Sequence, residues 1–235
     1  MKKHTFAGVS LVIMTAALFS ISGCGQGEQQ NDSGMHKSQS EPARGEWFTL
    51  FDGTNFDSWK MDKKDGWVVE GNSMMLMNGG SIWTKERFGN FVLDLELKVS
   101  PQCNSGIFFR TGSLKDPVQT GIEMQVFDSA LKPYPDKHDC GAMYDLLEPS
   151  TNAMKSAGNW NHVAITCNNN LISVMMNDKK IIDMDVDTWT TPGLNPDGTK
   201  NKFKKALKDF PREGYIGFQD HGSPVWYRAV RLKKL

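Results

Sequence analysis

The stretch Leu93-Asp94-Leu95-Glu96-Leu97-Lys98-Val99 alternates apolar and charged residues without a break. Successive side chains of a strand point to opposite faces, so the pattern predicts a half-exposed strand, leucine inward and charge outward. Short alternating or apolar runs recur at residues 47–51, 67–70, 74–77, 81–84, 90–99, 105–110, 121–127, 161–168, 171–176, 179–186, 214–220 and 225–232. Turn signals separate them: Asp52-Gly53, Glu70-Gly71-Asn72, Asn78-Gly79-Gly80, Asn168-Asn169-Asn170 and Asn177-Asp178. Strands at this spacing predict an all-β fold, a two-sheet antiparallel sandwich or jelly roll, as one domain over residues 45–235. Consecutive hairpins are expected over residues 161–182. Helix is minor. Residues 202–208 are its best candidate, one short helix inside a long connection from Thr190 to Glu213. A loop of that length in a compact domain is more often functional or a rim than idle.

The start of the chain reads as an address. Lys2 and Lys3 precede an apolar run from Phe6 to Ile21, which ends at Ile21-Ser22-Gly23-Cys24. A basic start, an apolar core and small residues before a cut mark a secretory signal peptide over residues 1–23. Ile-Ser-Gly-Cys resembles the bacterial lipobox, which implies lipidation of Cys24 and a membrane anchor in the bacterial cell envelope, on its periplasmic or outer face. The plainer alternative is a secreted protein cut near Gly23, with Cys24 incidental. Residues 24–44 are small and polar, with Met35 the one large apolar side chain. They cannot bury enough surface to offset chain entropy and read as a flexible tether.

Charge argues against nucleic acid, because 27 basic residues balance 27 acidic ones. The basic cluster Lys202-Phe203-Lys204-Lys205 reads as a solvated helix face. Cys103, Cys140 and Cys167 cannot all pair internally, and no CxxC or His-Cys metal spacing occurs.

The order of motifs carries a family resemblance. Leu50-Phe51-Asp52-Gly53 then Trp59, Asn104-Ser105-Gly106-Ile107-Phe108-Phe109-Arg110, Glu123-Met124-Gln125-Val126-Phe127-Asp128, Gly141-Ala142-Met143-Tyr144, Trp160-Asn161 and Gly214-Tyr215-Ile216-Gly217-Phe218-Gln219-Asp220-His221-Gly222 through Arg228 resemble the bacterial 3-keto-disaccharide hydrolase family. The resemblance covers nearly all of residues 46–235. It implies a concanavalin A-like (LamG-like) jelly roll and action on glycosides whose sugar is oxidised to a ketone at C3. Such a ketone acidifies the C2 proton. A base can remove it, the glycosidic oxygen at C1 leaves by β-elimination, and water adds to the enone. Cleavage then needs a general base near C2 and stabilisation of the enolate oxygen by Arg, neutral donors or a divalent metal.

Strand alternation nominates residues for these roles. Arg110 shares a face with Phe108, Glu123 with Gln125, and Gln219 with His221. If their strands are neighbours, Arg110, Glu123, Gln125, Gln219 and His221 line one wet groove with Phe108 as a stacking platform for sugar. Glu123 is the first choice for a catalytic or metal-ligating carboxylate, and His221 for base or ligand because its ordinary pKa lies near neutrality. Two plainer readings stand beside these: Glu123 as the salt-bridge partner of Arg110, and His221 as a turn residue in Asp220-His221-Gly222-Ser223-Pro224. In the loop after the strand at residues 121–127, catalytic His138 with Tyr144, and Asp128 at the strand end, would close the groove on substrate. Asp128, His138 and Asp139 would also permit a hard divalent metal. His162, Trp67 and Trp83 read as structural, while Trp189 or Trp226 could stack on sugar. A non-catalytic carbohydrate-binding surface lipoprotein is the alternative to an enzyme, since this fold serves both.

Overall fold

The computed structural model describes residues 45–235; the expected signal peptide, the lipidation expected at Cys24 and the expected tether fall outside the described residues. The strands are β1 (Trp47–Phe51), β2 (Trp59–Met61), β3 (Trp67–Glu70), β4 (Ser73–Leu76), β5 (Ile82–Thr84), β6 (Phe91–Val99), β7 (Asn104–Thr111), β8 (Ile122–Phe127), β9 (Asn161–Asn168), β10 (Leu171–Met176), β11 (Lys179–Asp185), β12 (Tyr215–Phe218) and β13 (Val225–Lys234). They form two antiparallel sheets. One runs β11-β10-β9-β6-β13-β4-β3 with β1 also paired to β13; the other runs β2-β5-β12-β7-β8. The helix expected over residues 202–208 is reduced to a 3₁₀ turn, Leu207–Asp209. The α-helical turn among the described residues is Pro117–Thr120, opened by Pro117 and capped by the Asp116 side chain.

In β6 the alternation holds residue by residue: Phe91, Leu93, Leu95, Leu97 and Val99 are buried, and the residues between are half-buried. The expected hairpins appear as β9-β10-β11. Between the sheets, the ring of Phe218 from β12 stacks on that of Tyr227 from β13 with centroids 3.9 Å apart. The Tyr227 hydroxyl is hydrogen-bonded with Ser105 Oγ at 3.2 Å, so this buried polar tip has a partner. Cys103, Cys140 and Cys167 are free and buried, and burial pushes their thiols up to about 11, 12 and 12. Such thiols pack as small hydrophobes and are poor nucleophiles.

Two bulges break the simple alternation. In β13, two residues face one of β6 between Arg228 and Arg231, where Ala229 takes φ 49°. In β7, the register to β12 shifts between Phe108↔Gly217 and Thr111↔Tyr215, and Arg110 takes φ 50°. A bulge redirects the side chain it carries. Arg110 therefore leaves the face of Phe108, contrary to the expectation that it lines a groove. It is 1% exposed and points to the end of the other sheet. There it donates from Nε to the Gly89 carbonyl (3.1 Å), from Nη1 to the Asn169 carbonyl (2.7 Å) and from Nη2 to Asn90 Oδ1 (3.2 Å). Its role is to join the end of β7 to the start of β6 and the β9–β10 turn. Removing it would leave buried acceptors unpaired and a hole, so Arg110→Ala should lower unfolding free energy by about 3 kcal/mol. Urea denaturation checks this; an unchanged midpoint would refute the clamp.

Candidate active site

The second sheet carries the site on the face turned away from the sandwich core. Ile122, Met124 and Val126 of β8 pack into the core, so Glu123 and Gln125 point outward, as the alternation predicts. Across the sheet, Glu123 is paired with Phe108, Phe108 with Gly217, Gly217 with Trp83, and Trp83 with Lys60. Two glycines make room along this face. A Cβ on Gly217 would come 2.2 Å from the Trp83 indole, and one on Gly106 would come 2.1 Å from Glu123 Oε1. The Glu123 carboxylate thus occupies the space a side chain on Gly106 would fill.

This face is not the open wet groove expected. Glu123 is 5% exposed, and Phe108 and Trp83 are 1% exposed. Phe108 is packed against Trp83 at 5.7 Å and offers no free ring for sugar. At the edge, the chain after residue 140 runs along β8: the Gly141 N–H donates to the Gln125 carbonyl, the Gln125 N–H to the Ala142 carbonyl, and the Tyr144 N–H to the Glu123 carbonyl, each at 2.9 Å. The long connection from Thr190 to Glu213 supplies the rest. Its Lys202 brings Nζ to 3.7 Å from Glu123 Oε2 and to 4.0 Å from the centroid of the Tyr144 ring. The Lys202 N–H donates to Asp145 Oδ2 at 2.6 Å, and its carbonyl accepts from Gln119 Nε2 at 3.0 Å. Lys202 and Tyr144 are half-buried and form the solvent side of the pair.

Electrostatics follows from this enclosure. Burial raises the Glu123 carboxyl, and the ammonium of Lys202 only partly offsets it, leaving the group at about 7. Burial likewise lowers Lys202, opposed by Glu123 and Asp145. In both partners desolvation outweighs pairing, the signature of a charged pair held out of water. Tyr144 is raised by burial and by the nearby Glu123 and Asp145 carboxylates. A carboxylate poised near neutrality is a capable general base.

The other nominated residues fall in three places. Gln125 and Gln219 stay with Glu123. Gln125 donates from Nε2 to Asn104 Oδ1 (3.3 Å), and the Gln219 N–H donates to the Gly106 carbonyl (2.9 Å), which sets the Gln219 backbone beside Gly106. His138 and Tyr144 form a rim: their rings meet edge-on at 5.0 Å, and His138 Nε2 lies 3.3 Å from Asp145 Oδ1. His138 is exposed and lines a cavity of about 430 Å³ that also touches Asp136, Lys137, Leu147 and Asp197. Arg110 and Asp128 are bonded elsewhere. Asp128 instead accepts the Gln102 N–H at 2.9 Å, fixing the turn between β6 and β7. His221 is exposed in the turn after β12, whose Asp220 carboxylate accepts from the Gly80 and Gly222 N–H groups. The Arg110 guanidinium, foreseen as the salt-bridge partner of Glu123, is not in contact with it. The trio Asp128, His138 and Asp139 is scattered, Asp139 being taken by Lys132 and the Asp136 N–H. Among the described residues no three His, Cys, Asp or Glu side chains converge as metal ligands. His162, read as structural, bonds Asp94 at 2.9 Å. Trp189 is buried with its Nε1–H donated to Asn195 Oδ1 (2.9 Å), so it is no platform either. Trp226 lies on the other sheet, beneath Lys98. Volume alone does not mark the site. A larger cavity of about 650 Å³, between Arg87, Asn90, Arg212 and Leu235, has neither Glu123 nor Lys202 in its wall.

Comparison with known proteins bears on what this site belongs to. Residues 46–233 match the model of the 3-keto-alpha-glucoside-1,2-lyase-like domain. The chain belongs to that family. A 3-keto-disaccharide hydrolase of Bacteroides thetaiotaomicron is 28% identical over 227 residues, spanning 80% of this chain and 78% of that protein. A solved structure from Parabacteroides distasonis, assigned as a glycosyl hydrolase, is 32% identical with a TM-score of 0.75, covering 81% of this chain and 100% of the other. A Bacillus subtilis protein with a galectin-like fold shares the architecture alone, at 13% identity and a TM-score of 0.54, over 83% of this chain and 97% of that one. The family member described here is a hydrolase-like enzyme with a concanavalin-like jelly roll.

Sequence reasoning missed Lys202 in this family member, because a run of basic residues read as a solvated face. The available signal was the length of the connection that carries it. The buried carboxylate makes a checkable claim about stability. Glu123 has a folded value of about 7 against an ordinary 4.5. The folded state then holds the extra proton between the two values, so the stability it gives is complete below the lower one and lost as pH rises to the upper. A shift of that size is worth about 3 kcal/mol. Glu123→Gln lacks this titration. Relative to it, the wild type should lose about 3 kcal/mol of unfolding free energy between pH 4.5 and 8 in urea titrations. A pH-independent difference would show that Glu123 is not desolvated.

Proposed function

We propose that the chain is an exported enzyme that cleaves glycosides whose sugar carries a ketone at C3. Glu123 takes the C2 proton, the C1 oxygen leaves by β-elimination, and water adds to the resulting enone. The observation that carries this reading is Glu123 itself: a buried carboxylate, raised to about 7, on the face of the second sheet turned away from the core. Its charged partner is the ammonium of Lys202 at 3.7 Å. Ordinary glycoside hydrolysis relies on two carboxylates flanking the bond, whereas proton abstraction beside a ketone needs one base and one electrophile. Membership in a family with a 28% identical 3-keto-disaccharide hydrolase supports the same substrate class. Gln219 is suited to bind a sugar hydroxyl beside Glu123, and Tyr144 and His138 to frame the mouth.

The full chain should release the aglycone from a 3-keto-glucoside and leave the unoxidised glucoside intact, with kcat rising through about pH 7 as Glu123 ionises. Glu123→Gln should abolish turnover. Gly106→Ala should fold yet lose most activity, because its methyl group would push the carboxylate off the glycine backbone. Inactivity of the wild type across a panel of 3-keto-glycosides, with and without divalent metals, would sink the proposal.

Lipid anchoring at Cys24 in the bacterial cell envelope is the second part of the reading, supported by the basic start, the apolar run and Ile21-Ser22-Gly23-Cys24. Cells fed a clickable fatty acid should label the full chain but not Cys24→Ser; equal labelling of both would rule the anchor out.

A further inference from the structure

A base at C2 is only half of an enolisation. The negative charge ends on the C3 oxygen, and a group must receive it there. The sequence offered Arg110 for this, but its guanidinium is turned to the other end of the sandwich and its bonds are taken by Gly89, Asn90 and Asn169. The carboxamide of Gln125 is engaged with Asn104 and with the Val126 N–H. Lys202 is differently placed. Its backbone is pinned on both sides, by Asp145 and by Gln119, and the next residue, Phe203, is buried. Its Nζ is confined between the Tyr144 ring face and the Glu123 carboxylate. A lysine on a loop would normally extend into water, because holding it costs side-chain entropy and desolvation. Here the fold holds an ammonium beside a base, in a site drier than the surface, where one hydrogen bond to an oxyanion counts for more.

We propose that Lys202 is a catalytic residue whose ammonium donates a hydrogen bond to the C3 oxygen while Glu123 removes the C2 hydrogen. The inference rests on the 3-keto-glycoside reading above. In the first step the C2–H bond breaks and the proton goes to Glu123. The bonding pair forms C2=C3, and the carbonyl π pair moves onto the C3 oxygen, held by Lys202. In the second step that pair re-forms C3=O, the C2=C3 pair shifts to C1=C2, and the C1–O bond breaks with its electrons on the departing oxygen. That oxygen takes a proton from water. The hydroxide so formed adds to C1, and Glu123 returns its proton to C2. The spacing of the two groups selects this oxygen. Partners 3.7 Å apart approach the sugar from one side. The C3 oxygen lies next to C2 and near the ring plane, within their common reach. An axial oxygen leaving from C1, anti to the C2 hydrogen, lies on the opposite face of the ring.

The test uses the full chain with Lys202→Met, Lys202→Ala and Lys202→Arg, each checked by circular dichroism and thermal melting. Three rates are measured: aglycone release from an alkyl 3-keto-glucoside, release from a p-nitrophenyl 3-keto-glucoside, and exchange of the C2 hydrogen of 3-keto-glucose in deuterated water by NMR. Loss of one oxyanion donor predicts a fall of about 100- to 1000-fold in Lys202→Met. All three rates should fall together, because enolisation is common to them. Methylammonium should restore part of the exchange rate in Lys202→Ala. Lys202→Arg, which keeps the charge and the partner for Glu123, should stay folded and retain more activity than Lys202→Met, giving a reading even if the neutral variants are unstable. Wild-type rates in Lys202→Met would overturn the role. A loss confined to the alkyl glucoside would also overturn it, placing the lysine at the leaving oxygen instead. A wild type inactive on every 3-keto-glycoside would remove the reaction on which both proposals stand, whereas an active wild type with an undisturbed Lys202→Met removes only the lysine's part.

Discussion

The site depends on one costly arrangement, a carboxylate held out of water on a sheet face. An isolated buried charge of that kind is not tolerated; it must be paired, hydrogen-bonded or neutralised. Glu123 is met by Lys202, drawn from a connection far along the chain, and by a pKa that lets it pass between charged and neutral near pH 7. Much of the surrounding structure serves this pairing. Gly106 leaves the hollow in which the carboxylate lies. Residues 141–144 seal the edge of β8. Asp145 and Gln119 hold the Lys202 backbone. Tyr144 presents a ring face to the ammonium, a contact that gains strength as water is excluded.

The architecture was legible where burial falls on one face. β6 writes its environment into alternate residues, and the hairpins β9-β10-β11 do the same. β8 shows the limit. Its period of two correctly separates Ile122, Met124 and Val126 from Glu123 and Gln125. It cannot say that the second set is also covered, because the covering comes from segments distant in sequence. Arg110 fails for a different reason. A register argument assumes an unbroken ladder, and one residue at positive φ reverses the side chains beyond it. Arginine is not a residue that announces φ 50°, so neither composition nor spacing marks the bulge.

The residues of the site divide along the same line. Those set by local strand geometry, Glu123 and Gln125, share one face of β8 as the alternation placed them. Those set by loops were not placed by it. His138 and Tyr144 reach the rim because residues 137–145 fold back along β8, while Asp128 and His221 are taken up by turns. Lys202 had the opposite history: a basic cluster reads as solvated until the chain around it is seen to pass over a carboxylate. Charge patterning describes a segment's own solubility and carries no information about what it packs against.

The covering of this face has a consequence for chemistry on a lectin-like scaffold. A sheet that binds sugar by exposed rings and hydroxyls is wet, and a carboxylate on it would titrate near its ordinary value and act as a weak base at neutral pH. Here the foreseen platform Phe108 is buried and packed against Trp83 instead of being offered to ligand. What the surface loses in binding area it gains in low dielectric around Glu123 and Lys202. Desolvation raises the base toward neutrality and strengthens each hydrogen bond to developing charge, both of which favour proton transfer over simple adhesion. Under the proposed reaction, the loops that carry Tyr144 and Lys202 are what would turn a binding face into a reactive one. Substitutions that open them to water should weaken the base and the electrophile together, even with both side chains still in place.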